Sequence, residues 1–353
     1  MSSKIPLLTI AIPTYNRSSS LKYIVDKIIN YTSSDLKLLI IDNNSSDDTR
    51  DYTAYLNKKH GNNITCLRNH INLGGCVNML RCIEFSESKY VWLLGDDDDI
   101  DVEYLNELME QLSRENSSSF HLLPKSRQSR KIVHYQFNNK KDFENEFYDI
   151  TALHLMSSNI YKVDDAKKYL DKAYRLVHLQ HPFSLFHAKF LEERKVLKIL
   201  KIPILKEERI PIKRWSKFIA HIDALETTYI LFGRDLACKE FNIRKDEILR
   251  VGIISLFDNK NEGFQVREVN RIIRLVSIKQ WFNPLICLII LSLNKRTFSK
   301  YILVYSIISI YFFKYNNKYK EALIEYLRIP KSTDLKLHLN RIFNISKENI
   351  FKN

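Results

Sequence analysis

The chain has 353 residues, of which 45% are hydrophobic and 27% charged, so it has the composition of an ordinary globular protein with room for two domains or for one large domain with an appendage. No apolar segment with a small-residue cleavage site precedes the first strand pattern, so we predict no signal peptide. The five cysteines are odd in number and lack CxxC spacing, which argues against a zinc site and favours a reduced, cytoplasmic compartment.

The net charge of +14 is unevenly distributed. Residues 1–150 carry 18 Lys and Arg against 21 Asp and Glu, whereas residues 151–353 carry 37 against 20. The second half is therefore strongly basic, and we expect it to meet something anionic. A phosphorylated acceptor, a membrane surface and nucleic acid are the three candidates.

Strand and helix patterns alternate four times within the first 95 or so residues. Apolar runs predict strands over residues 7–12, 36–41, 64–67 and 90–94. Helices are predicted between these strands, the first from apolar residues spaced three and four apart over 21–29. This order predicts an α/β fold, with a Rossmann-like, mixed but mostly parallel sheet flanked by helices.

Polar clusters follow three of these strands, at Pro13–Arg17, Asp42–Asp48 and Asp96–Asp99. Ligands bind at the carboxyl ends of strands in such sheets, so we expect a site there. Four adjacent carboxylates repel one another, and a hard divalent cation with oxygen ligands relieves that repulsion. Taken alone, the aspartate run also fits a solvated loop or a helix N-terminus.

The first strand-to-helix turn excludes several nucleotide-binding classes. It contains no GxGxxG and the chain has no GxxxxGK[ST], so a dinucleotide-binding Rossmann domain and a P-loop NTPase are disfavoured. A nucleotidyltransferase would also need a glycine-rich loop here. Asp42 alone does not support a ribose-binding acid of the Rossmann type.

Four motifs occur in a fixed order: LTIAIPTYNR at 8–17, IDNNSSDDT at 41–49, NLGGCVN at 72–78 and WLLGDDD at 92–98. Together they resemble the family 2 glycosyltransferases of GT-A fold, over roughly residues 6–105. The resemblance implies a nucleotide-sugar donor, most often a UDP-sugar, held across the sheet. It also implies an Mn²⁺ or Mg²⁺ cofactor and inverting transfer.

The resemblance assigns roles to three groups of residues. Those implied to contact the nucleotide are Pro13, Tyr15, Arg17, Asp42 and Asn43, with Tyr15 beside the base. Those implied to close over ribose and diphosphate are Asn72, Gly74, Asn78 and Asp96, the last reaching ribose. The metal ligands implied are Asp97 and Asp98, although four aspartates in a row leave the register open by one residue. Family members usually carry Asp at the position of Asn43, and an amide donates as well as accepts.

The second half is less regular. Strands are predicted over 119–123 and 131–137, a return to the sheet over 153–161, a helix from Asp164 to about 172, and a helical, basic region over 190–250. The pair His181–Pro182 resembles the His-Pro pair that replaces an acceptor-side Glu-Asp in some relatives. His181 is therefore the implied catalytic base. The alternatives are a second-sphere or diphosphate contact, a structural histidine, and a metal site from His178, His181 and His187.

Two apolar segments at 284–293 and 301–313 are each too short to span a bilayer. They are either packed helices of a C-terminal bundle or dimer interface, or a basic membrane-surface pair near a lipid-linked acceptor. We predict a GT-A catalytic domain over residues 1–200 and a basic, mostly helical region over 201–353. The predicted location is cytoplasmic, with peripheral contact to the inner face of the cell membrane.

The leading hypothesis is a metal-dependent inverting glycosyltransferase of surface polysaccharide synthesis (capsule or lipopolysaccharide), with a glycan or lipid-linked acceptor. The alternative is a non-catalytic basic module that binds a membrane or nucleic acid. Nucleic acid is disfavoured because the chain has no recognition motif. A catalytically inactive GT-A module used for assembly is a third hypothesis, and the intact aspartate run argues against it.

Overall fold

The computed structural model describes residues 5–123, 136–146, 153–206, 217–233 and 235–240. The strands in these ranges are β1 Leu8–Thr14, β2 Leu36–Asp42, β3 Ile64–Arg68, β4 Tyr90–Leu93, β5 Ser119–Leu122, β6 Gln136–Phe137, β7 Asn159–Lys162 and β8 Leu197–Leu200. The helices are α1 Ser18–Ile28, α2 Thr49–His60, α3 Gly75–Glu84, α4 Leu105–Arg114, α5 Lys140–Glu146, α6 Val163–Lys167, α7 Leu170–Arg175, α8 Ser184–Glu192 and α9 Lys217–Phe232.

The strands form one sheet in the order β3-β2-β1-β4-β7-β5-β8-β6. Strands β1 to β4 pair in parallel, and β8 pairs in parallel with β5. Strand β7 runs antiparallel to β4 and β5, and β6 runs antiparallel to β8. The predicted mixed, mostly parallel sheet flanked by helices is confirmed.

The register of β1, β2 and β4 brings their polar ends to one edge of the sheet. Thr14 lies opposite Asp42, and Ala11 lies opposite Leu93, two residues before Gly95. All four residues of β4 are buried, as expected for a strand covered on both faces. Helix α1 covers this sheet with the apolar stripe predicted from its periodicity, whose buried members are Leu21, Ile24, Val25 and Ile28.

Three sequence predictions for the second half are wrong in detail. Strand β8 lies inside the region predicted to be helical, because its apolar residues are buried by pairing with β5. A run of four residues cannot form a stable helix alone, so long-range pairing decides its conformation. The helix predicted from Asp164 is two short helices, α6 and α7. The return to the sheet over 153–161 is a strand only from residue 159, after a 3-10 turn at Met156–Ser158.

The chain groups into two compact units, one of residues 1–212 with 230–233 and one of residues 213–229 with 234–353. The predicted domain boundary after residue 200 stays a prediction. The apolar segments at 284–293 and 301–313 lie outside the described residues. Within the part that is described, no helix has the length and apolar character needed to cross a membrane.

Candidate active site

Asp96 joins the end of β4 to the end of β1. Its Oδ2 accepts a hydrogen bond from Thr14 Oγ1 at 2.6 Å, and its Oδ1 accepts one from Arg17 Nη1 at 2.7 Å. The side chain is only 3% exposed. Burial raises the pKa of Asp96 to about 6, while the Arg17 charge and the Thr14 hydrogen bond limit the rise. Asp96 is therefore an internal anchor whose two oxygens are both engaged by the protein.

Asp97 and Asp98 converge over Gly95. Asp98 Oδ2 and Asp97 Oδ1 lie 2.6 and 3.1 Å from the position that a β-carbon on Gly95 would occupy. A β-carbon at this position would require the two flexible carboxylate ends to shift, so the absence of a side chain on Gly95 lets them lie directly over the backbone. Asp97 is 38% exposed and lies 2.8 Å from Arg17 Nη1. Two carboxylate oxygens thus face one small volume at the edge of the sheet.

Asp99 has a different role from its neighbours. Its carboxylate pairs with Lys27 of α1, and Tyr23 Oη donates to its Oδ2 at 3.4 Å. The four aspartates are therefore divided by the fold: Asp96 holds β1, Asp99 holds α1, and the two between them converge. Asp97 and Asp98, the pair predicted as metal ligands, are thus the two whose carboxylates converge, and their role as ligands stays a prediction.

The converging oxygens suit a hard divalent cation. Mg²⁺ and Mn²⁺ prefer oxygen ligands, and Mg²⁺ is typically held by one or two carboxylates together with water and substrate phosphate. Among the described residues, no group of three or more His, Cys, Asp or Glu side chains could enclose an ion. Asp97 and Asp98 would accordingly supply two ligands, and the remaining positions would be open to diphosphate oxygens.

The end of β2 is fixed by an arginine that the sequence reasoning missed. Asp42 is fully buried, pairs with Arg68 and accepts a hydrogen bond from the Ser45 backbone N–H at 2.9 Å. Arg68 also donates to Asn44 Oδ1 at 2.8 Å. Arg68 ends β3 directly opposite Asp42 in the parallel register. The parallel pairing of these two strand ends is the signal from which Arg68 could have been predicted as the partner of Asp42.

An asparagine network ties the loop before α3 to the end of β2. Asn43 donates through Nδ2 to Asn72 Oδ1 at 2.8 Å, and its Oδ1 accepts from Asn69 Nδ2 and from the Leu73 backbone N–H, both at 2.9 Å. Asn69 also donates to Asn78 Oδ1 at 2.9 Å. The structure thus brings together three predicted residues, Asn43, Asn72 and Asn78. Asn69, which joins them, was missed.

The same loop shapes the start of α3. Gly74 has φ of +85°, which a residue with a side chain rarely adopts. Its backbone N–H donates to Asn72 Oδ1 at 2.9 Å, and its carbonyl accepts from Asn78 N at 3.1 Å. Asn78 then reaches back to the Ile41 carbonyl of β2 at 2.9 Å. Gly74 therefore lets the chain turn from the loop into the helix beside β2.

The turn after β1 interlocks with the loop after β2. Asn16, in the left-handed region at φ +52°, accepts from the Ser46 backbone N–H at 2.7 Å and donates its own N–H to Ser45 Oγ at 2.8 Å. Tyr15 at this turn is 39% exposed, and Pro13 before it is half-buried. The Tyr15 side chain is therefore exposed to solvent in the turn that contacts the loop after β2.

The histidines of the second half have two environments. The His181 ring lies 5.0 Å from the His154 ring, and His154 Nδ1 is 2.9 Å from Ser184 Oγ. The carbonyl of Leu179 accepts a weak hydrogen bond from Cys76 Sγ at 3.5 Å, which places the His181 loop against the start of α3. His187 instead lies in the core, so the three histidines His178, His181 and His187 do not converge.

His187 belongs to a buried neutral network. Its two ring nitrogens lie 3.2 Å from Ser119 Oγ and 3.0 Å from Asn159 Oδ1, and His121 Nδ1 lies 3.1 Å from the same Asn159 oxygen. Burial, together with His121, holds the pKa of His187 well below its usual value. This histidine therefore supports the core beneath the sheet.

A serine from the second half contacts the acidic turn, which we define as Gly95 to Asp99. The sequence reasoning did not predict this contact. Ser157 Oγ accepts a hydrogen bond from the Gly95 backbone N–H at 2.9 Å and donates to Asp98. Its backbone carbonyl accepts from Trp92 Nε1 at 2.7 Å. Nothing in the local sequence around Ser157 indicates these contacts, because its partners lie about 60 residues earlier.

Comparison with known proteins places this geometry in a family. The model of glycosyl transferase family 2 matches residues 9–193. The abequosyltransferase RfbV of Salmonella typhimurium is 32% identical over 94 residues, which are 26% of this chain and 28% of that protein. The Campylobacter jejuni GalNAc(5)-diNAcBac-PP-undecaprenol beta-1,3-glucosyltransferase is 29% identical over 106 residues, 30% of this chain and 34% of that protein. The matches thus span about a third of these relatives' length.

Solved structures show the same fold. The structure of Staphylococcus aureus TarS residues 1–349 in complex with UDP-GlcNAc superposes with a TM-score of 0.53 at 12% identity, covering 75% of this chain and 79% of that one. The structure of TarS 1–349 without that ligand gives a TM-score of 0.52, also at 12% identity, over 91% of this chain and 89% of that one. The predicted GT-A fold is therefore confirmed. Because the family model matches more than half of its residues, the chain belongs to glycosyltransferase family 2.

Proposed function

We propose that this protein is a metal-dependent, inverting glycosyltransferase that moves a sugar from a nucleoside-diphosphate sugar to a hydroxyl of a glycan or lipid-linked acceptor in surface polysaccharide synthesis. The observation that carries the proposal is the convergence of the Asp97 and Asp98 carboxylates over Gly95. They lie at the strand edge where ligands bind in α/β sheets.

The donor nucleotide would lie across the ends of β1 and β2. Tyr15 offers an exposed ring on which a base can stack, and Pro13 borders the same turn. Asp42 is fully buried and paired with Arg68, so we assign it the task of holding the Ser45 backbone in place. Asn43 is engaged by three protein groups. We therefore infer that Asn43 shapes the loop over the ribose, and that contact with the base falls mainly to other atoms.

The diphosphate would lie beside the acidic turn. Asp97 and Asp98 would hold Mn²⁺ or Mg²⁺, which neutralises the charge that develops on the leaving diphosphate. Arg17 adds a positive charge 2.8 Å from Asp97 and also holds Asp96. Asn72, Gly74 and Asn78 border the loop that would close over ribose and diphosphate. Asp96 would orient the Arg17 and Thr14 side chains through the hydrogen bonds that its two oxygens accept.

The acceptor side would be served by His181. As a general base it would take the proton of the acceptor hydroxyl while that oxygen attacks the anomeric carbon. The carbon–oxygen bond to the diphosphate breaks on the opposite face, so the configuration inverts. The His154 ring at 5.0 Å packs against His181 and limits its orientation. The Leu179–Cys76 contact keeps the His181 loop beside the loop proposed to cover the donor.

The relatives support the choice of substrates. One is named an abequosyltransferase and another an undecaprenol-linked glucosyltransferase, while the TarS structure holds UDP-GlcNAc. These names are consistent with a nucleotide-sugar donor and with a glycan or lipid-linked acceptor. UDP-sugars are the first donors to test, because the TarS structure holds one. The basic second half fits an anionic lipid-phosphate acceptor at the inner face of the membrane.

Assays of donor hydrolysis and of sugar transfer test the proposal. UDP-, GDP-, CDP- and dTDP-sugars are incubated with the protein in Mn²⁺, in Mg²⁺ and in EDTA, and thermal shift reports donor binding in parallel. We expect one nucleotide class to raise the melting temperature, and release of nucleoside diphosphate that requires the cation. Full activity in EDTA would exclude metal dependence. Absence of binding and of turnover with every donor would favour the non-catalytic module.

A further inference from the structure

We propose that Ser157 is a positioning residue that shapes the acidic turn for cation binding, an inference that rests on the proposed function. Ser157 lies in the 3-10 turn Met156–Ser158 immediately before β7, the strand that pairs with β4. Ser157 is separated in sequence by about 60 residues from the acidic turn, Gly95 to Asp99. The second half of the catalytic unit thereby reaches the carboxylates supplied by the first half.

The contacts of Ser157 determine the direction of its hydroxyl proton. A serine hydroxyl has one hydrogen to donate and two lone pairs. The Gly95 backbone N–H donates to Oγ at 2.9 Å, so the hydroxyl hydrogen is directed to Asp98. The side chain is 7% exposed, and the Trp92 indole N–H holds its backbone carbonyl at 2.7 Å. Ser157 is therefore fixed at three points.

The oxygen that Ser157 holds is Asp98 Oδ2, the same oxygen that lies over Gly95. A hydrogen bond to a carboxylate favours its ionised form and fixes its rotamer. Carboxylates that bind metal ions are typically oriented in this way by a neighbouring donor. Ser157 thus sets both the position of Asp98 and, through Gly95, the position of the backbone beneath Asp97.

The other two aspartates of the run are fixed without Ser157. Asp96 is held by Thr14 and Arg17, and Asp99 by Lys27. Loss of the Ser157 hydroxyl should therefore leave the turn attached to β1 and α1, and release the Asp98 carboxylate and the Gly95 N–H that the hydroxyl holds. This separation makes the effect on cation binding distinguishable from general unfolding.

The test is a titration of Mn²⁺ binding in the presence of UDP, followed by electron paramagnetic resonance or calorimetry, on the full chain. Ser157→Ala should weaken Mn²⁺ binding by about 10- to 100-fold. Ser157→Thr retains the hydroxyl and should stay within about threefold of the wild type, whereas Ser157→Cys, a weak donor of similar shape, should resemble the alanine variant. Ser158→Ala, one residue further along the same buried turn, is the matched control and should bind Mn²⁺ normally.

The outcomes separate the two proposals. Equal Mn²⁺ affinity in the wild type, Ser157→Ala and Ser157→Cys would overturn the role of Ser157 and leave the proposed function standing. A wild type that binds no Mn²⁺ with any nucleotide would overturn the proposed function itself. If Ser157→Ala does not fold, the ratio of Mn²⁺ affinities between Ser157→Thr and Ser157→Cys decides the question.

Discussion

Polar side chains form clusters both at the edge of the sheet and inside its second half, but the two clusters are built differently. At the edge, carboxylates such as Asp42 and Asp99 pair with cationic side chains, and Asp97 keeps a solvent-exposed surface. In the interior, His187 and Asn159 exchange hydrogen bonds among neutral groups that are completely buried. The interior cluster is neutral, whereas the edge cluster holds charged side chains, and where such a side chain is buried, as Asp42 is, a cationic partner offsets the cost of burial.

The comparison also shows that residue type alone does not assign a role. His181 and His187 are six residues apart, yet one lies half-buried in the loop that contacts the start of α3 and the other lies in the core. The aspartates divide in the same way, since Asp96 and Asp99 hold the fold while Asp97 and Asp98 converge. Variants of matched residues in the two regions can therefore test this distinction.

The largest effect is expected for Asp97→Asn. The amide cannot serve as an anionic cation ligand, so kcat for sugar transfer should fall by about 100- to 1,000-fold. The melting temperature should change little because Asp97 is at the surface. Asp99→Asn, the matched control, loses the ion pair with Lys27 and should reduce stability more than kcat. Equal loss of kcat in both variants would contradict the division of the aspartate run.

A smaller but still large effect is expected for His181→Gln. Removal of a general base typically costs about 100-fold or more in rate, so kcat should fall while the affinity for UDP is unchanged. The acidic limb of the pH–rate profile, along which a general base becomes active by losing its proton, should also change. His178→Gln is the control, because His178 is exposed beside the same loop. A normal kcat and pH profile in His181→Gln would exclude it as the base.

Asn43→Asp should have a moderate effect on donor binding. A carboxylate cannot donate to Asn72 Oδ1, so the loop before α3 loses one hydrogen bond, worth about 1 kcal/mol. We expect KM for the donor to rise about fivefold with kcat nearly unchanged, measured by steady-state kinetics. Asn57→Asp, which disturbs the Asn57–Cys66 contacts away from the site, should leave KM unaltered. An unchanged KM in Asn43→Asp would argue against its role in the loop.

The smallest effect concerns stability rather than activity. His187 has a folded pKa well below the unfolded value near 6.5, so its contribution to stability is complete above that value and declines as the pH falls below it. We expect the urea midpoint of the wild type to fall between pH 7.5 and pH 5.5, and the fall to be smaller in His187→Asn. The same pH dependence in wild type and variant would show that the buried histidine is not its source.

Much of the fold was predictable because it is encoded locally. The periodicity of apolar residues identifies β1, β2, β3, β4 and the helices between them, and parallel strands necessarily align their carboxyl ends. The motif order then led to the family and to the GT-A fold. Strand β8 was mispredicted because a stretch of four residues, three of them apolar, carries no periodic signal, and its pairing with β5 links segments about 78 residues apart.

The residues that stand at the strand ends can be read from the sequence, since each apolar run stops there. The partners of these residues follow from the tertiary structure alone. Thr14 meets Asp96 across 82 residues, Arg68 meets Asp42 across 26, and Ser157 meets Gly95 across 62. Such contacts depend on strand order and register, which bring distant segments to one edge, and no local pattern records them. For the same reason the four adjacent aspartates are equivalent in the sequence and acquire distinct surroundings once β1, α1 and the Ser157 turn pack around them.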